Sequence, residues 1–293
     1  MVRSIHSLTP FKIRKVRTIA VYNIKGGVGK TTTSINMACL MAKMGFSVLI
    51  WDLDPQGGTS YFFKSEGANN NRYKRLFEND ILIYEVIQTC DTNHIDIISN
   101  DSSFGDDALS KGSLLSRLNF VNNAVIQSLL DKVNDDYDVC IIDCPPGKFL
   151  LHNNVFTAAD LLLIPNIPAP LSLHCFEVLQ EDLKKFIRAD KKVLSFYNMV
   201  QIRKNLHRLY LEQGAGRIPT LHQYIPFYSD IENISFSKKS IFHQLKEAKS
   251  IQFYEALWDE VCDICNWSAF KTNKGRVIDF PDIHSIAGLA IAD

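Results

Sequence analysis

Eight consecutive residues, Lys25-Gly26-Gly27-Val28-Gly29-Lys30-Thr31-Thr32, bring together three glycines, two ammonium groups and two hydroxyls. Glycines let consecutive backbone N–H groups turn toward one anion. A helix starting at the end of such a run adds its positive N-terminal potential. Lys30 is placed to reach the β- and γ-phosphates of a nucleoside triphosphate, and the Thr31 hydroxyl is a ligand of the type Mg²⁺ takes. Downstream, Asp52 and Asp54 stand two apart in Asp52-Leu53-Asp54-Pro55-Gln56-Gly57, and Asp143 closes the apolar run YDVCIID. Carboxylates at i and i+2 of a strand share a face, so near a metal triphosphate they can divide the work.

These groups need elements to position them. Residues 18–23 (TIAVYN) read as a buried strand running into the glycine run, and Thr31 to Met44 reads as a helix stopped by Gly45. Further strands are expected at 48–54, 94–99, 137–143, 160–165, 193–198 and 221–226. Helices are expected near 76–89, 119–135, 171–189 and 203–213, and around the FYEALWDEVCDICNW segment, with 101–112 a loop. Near-continuous apolar strands alternating with helices imply a doubly wound, mostly parallel α/β sheet covered on both faces. One domain is expected over 17–269, preceded by a basic arm (1–16) and followed by a tail (270–293) without strong periodicity.

The glycine run departs from the ordinary P-loop pattern, because Ile24 stands where its first glycine would fall and Lys25 is added. In this it resembles the deviant Walker A motif, KGGVGKT, of the ParA/MinD family of ATPases, most nearly the small Soj-type members. The resemblance runs from about Thr18 to Cys262, roughly five-sixths of the chain. It implies a P-loop NTPase-like fold and ATP and Mg²⁺ as cofactors. It also implies that Lys25 is a signature lysine reaching the partner's phosphates in an ATP-bound homodimer. A cation supplied in trans would neutralise developing charge as an arginine finger does. Nucleotide contacts then fall on Gly26, Gly27, Val28, Gly29, Lys30, Thr31 and Thr32. Asp52 would help hold the waters of Mg²⁺, and Asp54 would orient or deprotonate the attacking water. Asp143 takes the Walker B position, with Pro145-Pro146-Gly147 similar to switch II. Asn198-Met199-Val200 and Tyr224-Ile225-Pro226 resemble the adenine-side segments, which singles out Asn198 and Pro226; a strand-end polar residue and a loop proline are the plainer readings. The stretch 164–174 resembles a loop and helix near the family's dimer interface.

Within the family the resemblance implies a DNA-partitioning ATPase: nonspecific DNA bound in the ATP state, and release when a ParB-like or cargo-adaptor protein stimulates hydrolysis. Positioning of a non-DNA cargo and a metabolic or redox enzyme on the same fold are the alternatives. For the last, Cys90 and Cys144 lack the spacing of cluster ligands. Candidate DNA cations are Arg203, Lys204, Arg208, Lys238, Lys239, Lys246 and Lys249, which are equally readable as solvated helix faces. His222 stands where some DNA-binding members carry Arg.

Composition agrees with this class. In 293 residues, 32 Lys and Arg balance 32 Asp and Glu, so no global basic field draws the chain to nucleic acid and any DNA contact must be local. The seven cysteines are scattered, and Cys262 and Cys265 read as core-facing positions of one helix rather than a metal pair. No apolar run approaches the ~20 residues of a membrane span, the tail is not a basic amphipathic helix, and the basic N-terminus lacks the apolar segment of a secretory signal. The expectation is therefore a cytoplasmic protein without membrane contact, nucleoid-associated if it binds DNA. With 17 residues before the first strand in this sequence, a helix-turn-helix module and operator recognition are not expected. The basic arm has two readings, a DNA contact or a flank to the strand.

Overall fold

Strands such as VLIWD and VCIID contain no alternation, and all five residues of each are buried. Such strands are stable only with helices on both faces. In a computed structural model, residues 15–63, 72–78, 80–100, 123–148, 151–184, 191–213, 218–234, 242 and 250–272 are described. They form one seven-stranded sheet in the order β3-β4-β2-β5-β1-β6-β7. Its strands are β1 (Arg17–Val21), β2 (Val48–Asp52), β3 (Ile87–Thr89), β4 (Ile95–Ile98), β5 (Val139–Asp143), β6 (Leu161–Asn166) and β7 (Lys192–Tyr197). Every pairing is parallel except β3 with β4.

Two cores follow from the pleat. Ala20, Leu49, Trp51, Cys140, Ile142, Leu162 and Ile164 face one layer. That layer includes α3 (Arg72–Phe77), α4 (Val125–Asp131), α5 (His152–Ala158) and α6 (Pro170–Leu183). Ile19, Val21, Val48, Ile50, Val139, Ile141, Leu161 and Leu163 face the other. There lie α1 (Lys30–Lys43) and α9 (Ile251–Cys265), with the short helices α2 (Gly58–Phe62) and α8 (Ser229–Glu232). The remaining helix, α7 (Asn205–Gln213), follows β7. Cys262 and Cys265 are buried on the inner side of α9, and burial raises both thiol pKa values, so they pack rather than react.

The doubly wound α/β fold expected from the sequence is present, and several elements differ from expectation. The segment 76–89 is not one helix. α3 ends at Phe77, a 3₁₀ turn covers Ile83–Glu85, and β3 adds an antiparallel edge. Leu76, Phe77, Ile81 and Ile83 are spaced like a helix, yet they are drawn into one core from the end of α3, the connection after it and the 3₁₀ turn. LHQYIP is not a sheet strand; isolated bridges, Ser195 to Thr220 and Val200 to Pro226, and single hydrogen bonds such as Ile225 N to the Tyr197 carbonyl (2.9 Å) tie this region to β7 and the turn after it. α5 was not anticipated, because His152, Asn153 and Asn154 break the apolar period at its start. The 101–112 loop, most of the arm and tail, and Lys238, Lys239, Lys246 and Lys249 lie outside the described residues.

Candidate nucleotide site

The glycine run, Asp52, Asp54 and Asp143 lie at the carboxyl ends of the central strands β1, β2 and β5, where parallel α/β sheets bind ligands, and Asn198 follows the edge strand β7. Residues 22–29 leave β1 and feed α1 through Gly29, whose φ of 89° opens the helix from the left-handed region. A Cβ there would come within 2.2 Å of the Asn198 amide nitrogen, so glycine is required for both conformation and space. The loop is tied down from several directions. Lys25 N donates to Asn23 Oδ1 (2.9 Å) and Asn198 Nδ2 donates to the Val28 carbonyl (2.8 Å). Gly147 N donates to the Ile24 carbonyl (2.8 Å), while Tyr22 OH donates to the Gly147 carbonyl (2.9 Å). The segment resembling switch II is thereby fastened to the loop's entrance.

Lys30 is 6% exposed, and its Nζ donates to the Lys25 carbonyl at 3.0 Å. Burial lowers its pKa, opposed by the nearby Asp143 charge. Lys25 is half-buried, and its ammonium makes no hydrogen bond or ion pair among the described residues. The two lysines of the motif therefore have different environments: one is set inside the loop and one stands at its edge.

The three carboxylates also divide by environment. Asp52 and Asp143 are register partners on β2 and β5, and both are fully buried. Asp143 accepts from Ser34 Oγ (3.1 Å) and Thr59 Oγ1 (2.7 Å), and also from the Thr31 side chain. Asp52 accepts from Ser60 N (2.8 Å), Ser60 Oγ (2.6 Å) and Asp54 N (3.1 Å). Burial is the main cause that raises both pKa values, and for Asp52 the neighbouring Asp143 adds to it. Asp54 is half-buried, and its carboxylate accepts only the Gln56 amide among the described contacts (2.9 Å).

The donor set fits Mg²⁺. The Thr31 hydroxyl and the Asp143 carboxylate are hard oxygen ligands brought together at the loop's end. No group of three or more His, Cys, Asp or Glu that could hold a metal occurs among the described residues. Both Asp52 oxygens accept from Ser60 and the Asp54 amide, which fixes the turn that carries Asp54 and leaves further lone pairs for water.

Sequence reasoning missed Asn23, Ser34, Thr59, Ser60 and Asn166. Their signal was indirect, since a carboxylate at the end of a fully apolar strand must find donors nearby, and Gly58-Thr59-Ser60 offers two hydroxyls. On the adenine side, Asn198 is committed to the loop through Val28, and Pro226 is buried against Val200. Of the DNA candidates that are described, Arg203 and Lys204 are exposed just before α7, and half-buried Arg208 bonds the Asn205 side chain. His222 is paired with Glu260, which accepts from its backbone amide (2.8 Å) and faces its Nδ1 at 2.9 Å.

Comparison with known proteins gives a consistent picture. A family model described as an AAA domain matches residues 16–196. The chain is 34% identical to the sporulation initiation inhibitor protein Soj of Bacillus subtilis over 151 residues, covering 51% of this chain and 57% of Soj, so the match spans little more than half of that relative. It is 27% identical to the chromosome partitioning protein ParA of Myxococcus xanthus over 258 residues, covering 84% and 87% of the two chains. Among solved structures, a plasmid partition protein from Borrelia burgdorferi bound to AMPPNP superposes with a TM-score of 0.72 at 21% identity, covering 85% of this chain and all of that one. A cobyrinic acid a,c-diamide synthase from Mycobacterium smegmatis with bound ATP analogue and magnesium reaches 0.68 at 22% identity, covering 88% and 99%. At these identities the structures establish the fold, which partition proteins and a synthase share.

Proposed function

The chain belongs to the ParA/MinD family of ATPases and is Soj-like, and from that premise we propose that it is an Mg²⁺-dependent ATPase that partitions or positions DNA. ATP closes two copies into a dimer, and the dimer holds DNA without sequence preference. Hydrolysis stimulated by a ParB-like or cargo-adaptor partner releases it. The observation that carries this reading is the contrast between the two lysines: Lys30 turned into the loop against the Lys25 carbonyl, and the Lys25 ammonium left unpaired among the described residues.

Lys30 and the amides of 26–29 grip the phosphates, because a buried ammonium whose burial lowers its pKa gains from added anionic charge. Lys25 serves the second subunit's phosphates, so assembly depends on the nucleotide. Thr31 and Asp143 hold Mg²⁺, which supplies charge neutralisation and a template for the phosphate oxygens when bound. Asp54, the least engaged carboxylate, orients the attacking water or accepts its proton. Asn198 and Pro226 flank the adenine.

Light scattering with ATP or ADP, with and without nonspecific duplex DNA, tests the proposal. A dimer with ATP alone, retained on DNA and released as salt rises, is expected. An unchanged mass with ATP rejects the mechanism. Lys25→Ala is expected to keep ATP binding and lose the dimer; an ATP-induced dimer with unaltered turnover would overturn the role in trans. The Glu260 carboxylate at His222 favours a second reading, a non-DNA cargo, since it places negative charge beside a candidate DNA-binding position. That reading gains if the ATP dimer forms and DNA is not retained.

A further inference from the structure

Two of the ties on the phosphate loop lead back to one residue outside every nucleotide motif, Asn166 at the end of β6. On one side, Asn166 Oδ1 accepts from Asn23 Nδ2 (2.9 Å), and Asn23 Oδ1 accepts from Lys25 N (2.9 Å). On the other, the Asn166 carbonyl accepts from Asn198 N (2.6 Å), and Asn198 Nδ2 donates to the Val28 carbonyl (2.8 Å). The three asparagines follow or end β1, β6 and β7, which are neighbours in the sheet. They are 0%, 0% and 3% exposed.

The peptide planes show what these ties accomplish. The N–H and C=O of one trans peptide point in opposite directions. The Ile24–Lys25 peptide is held at both ends, its N–H by Asn23 and its C=O by Gly147 N. Pinning the Val28 carbonyl to Asn198 turns the N–H of Gly29 the other way. The ties therefore set the orientation of amides that line the cradle.

Asn166 is also an exception in its strand. The residues before it, Leu161 to Pro165, are apolar and buried, and its own Nδ2 has no partner among the described residues. Burying an asparagine of which half is unused is unfavourable unless the other half matters.

We propose that the Asn166 side chain is a positioning group of the phosphate loop, fixing the Lys25 peptide through Asn23, whose amide also donates to the Pro165 carbonyl (2.8 Å). The tie to Asn198 uses the Asn166 backbone carbonyl and does not depend on the side chain. The side chain touches neither phosphate nor metal. The proposal rests on the nucleotide-site reading above.

The test compares wild type, Asn166→Leu, Asn23→Ala and the double variant. Ser195→Ala serves as a control, since it removes a buried hydroxyl on β7 that bonds Thr220 rather than the loop. Three quantities are measured on the full chain: affinity for a fluorescent ATP analogue, melting temperature, and hydrogen exchange of residues 24–29 without nucleotide. Asn166→Leu is expected to weaken the analogue roughly tenfold, the scale of one orphaned buried donor, and to speed exchange at the Lys25 amide. The double variant should be no weaker than the worse single one, because Asn166 acts through Asn23. Should Asn166→Leu fail to fold, Asn166→Ser, which retains a hydroxyl acceptor, is measured the same way with a smaller loss expected.

Wild-type affinity and protection in the folded variant would overturn the proposal. So would additive losses, or an affinity loss that Ser195→Ala reproduces at equal melting temperature. If wild type binds no ATP analogue, the functional reading fails by itself, and the exchange data still decide whether Asn166 holds the loop.

Discussion

The carboxylates and lysine beneath the phosphate loop and the cations around α7 differ chiefly in depth. Asp52, Asp143 and Lys30 are buried, and each is fixed by named donors or acceptors. Arg203 and Lys204 stand in solvent, and Arg208 is half-buried. A buried charge interacts strongly and tolerates little change, whereas an exposed one is screened and replaceable. The first cluster should therefore respond to single substitutions in an all-or-none way, and the second only to combined ones in a graded way.

The largest effect is expected from Lys30→Ala. Removing a buried cation from a phosphate site costs about 3–5 kcal/mol, so ATP affinity should fall a hundredfold or more in a titration. Affinity within a few-fold of wild type would erase the contrast of depth. Asp54→Ala should come next. Turnover is expected to fall about 10²–10⁴-fold while ATP binding and the ATP-induced dimer persist, because this half-exposed carboxylate acts on the water and not on the phosphates. Steady-state ATPase rates alongside sedimentation decide this, and unchanged turnover removes Asp54 from the mechanism.

A pH series sharpens the buried side. Burial and Asp143 raise the Asp52 pKa above the unfolded value of about 3.9. A raised acid holds its proton longer when folded, so its contribution to stability is complete in acid. That contribution is lost as pH climbs from about 4 through the raised value. Asp52→Asn should therefore gain on wild type as pH rises from 4 to 8 in denaturant unfolding of the nucleotide-free protein. A constant difference across that range would show that Asp52 titrates normally.

The smallest effect belongs to the exposed side. Replacing Arg203, Lys204 and Arg208 together with Ala should weaken ATP-dependent DNA binding several-fold and lower the salt slope by about one for each phosphate no longer neutralised. Folding and turnover without DNA should be unchanged. If DNA binding does not move, α7 is not the DNA face.

Much of the phosphate site was legible because its chemistry is local. Lys25 to Thr32 lie on one uninterrupted strand–loop–helix, and each residue's part depends on its immediate neighbours. Asp52, Asp54 and Asp143 were legible for a related reason: a charged residue ending an apolar strand is conspicuous. Periodicity misled at 76–89, where apolar residues at helical spacing belong to short elements and their connection, meeting one core. It gave no sign of α5, whose first turn is polar.

By itself, then, the sequence determined a parallel sheet with covered faces, a glycine loop shaped for phosphate, and the carboxylates that ring it. Periods of two and 3.6 and the conformational freedom of glycine act over a few residues. Only the tertiary structure decided which donors quiet the buried carboxylates, that Glu260 sits against His222, and that Asn23, Asn166 and Asn198 converge on one loop. The links from Asn23 to Asn166 and from Asn198 to Val28 span 143 and 170 residues. Such partners are chosen by the order of strands in the sheet, and no local pattern in the chain encodes that order.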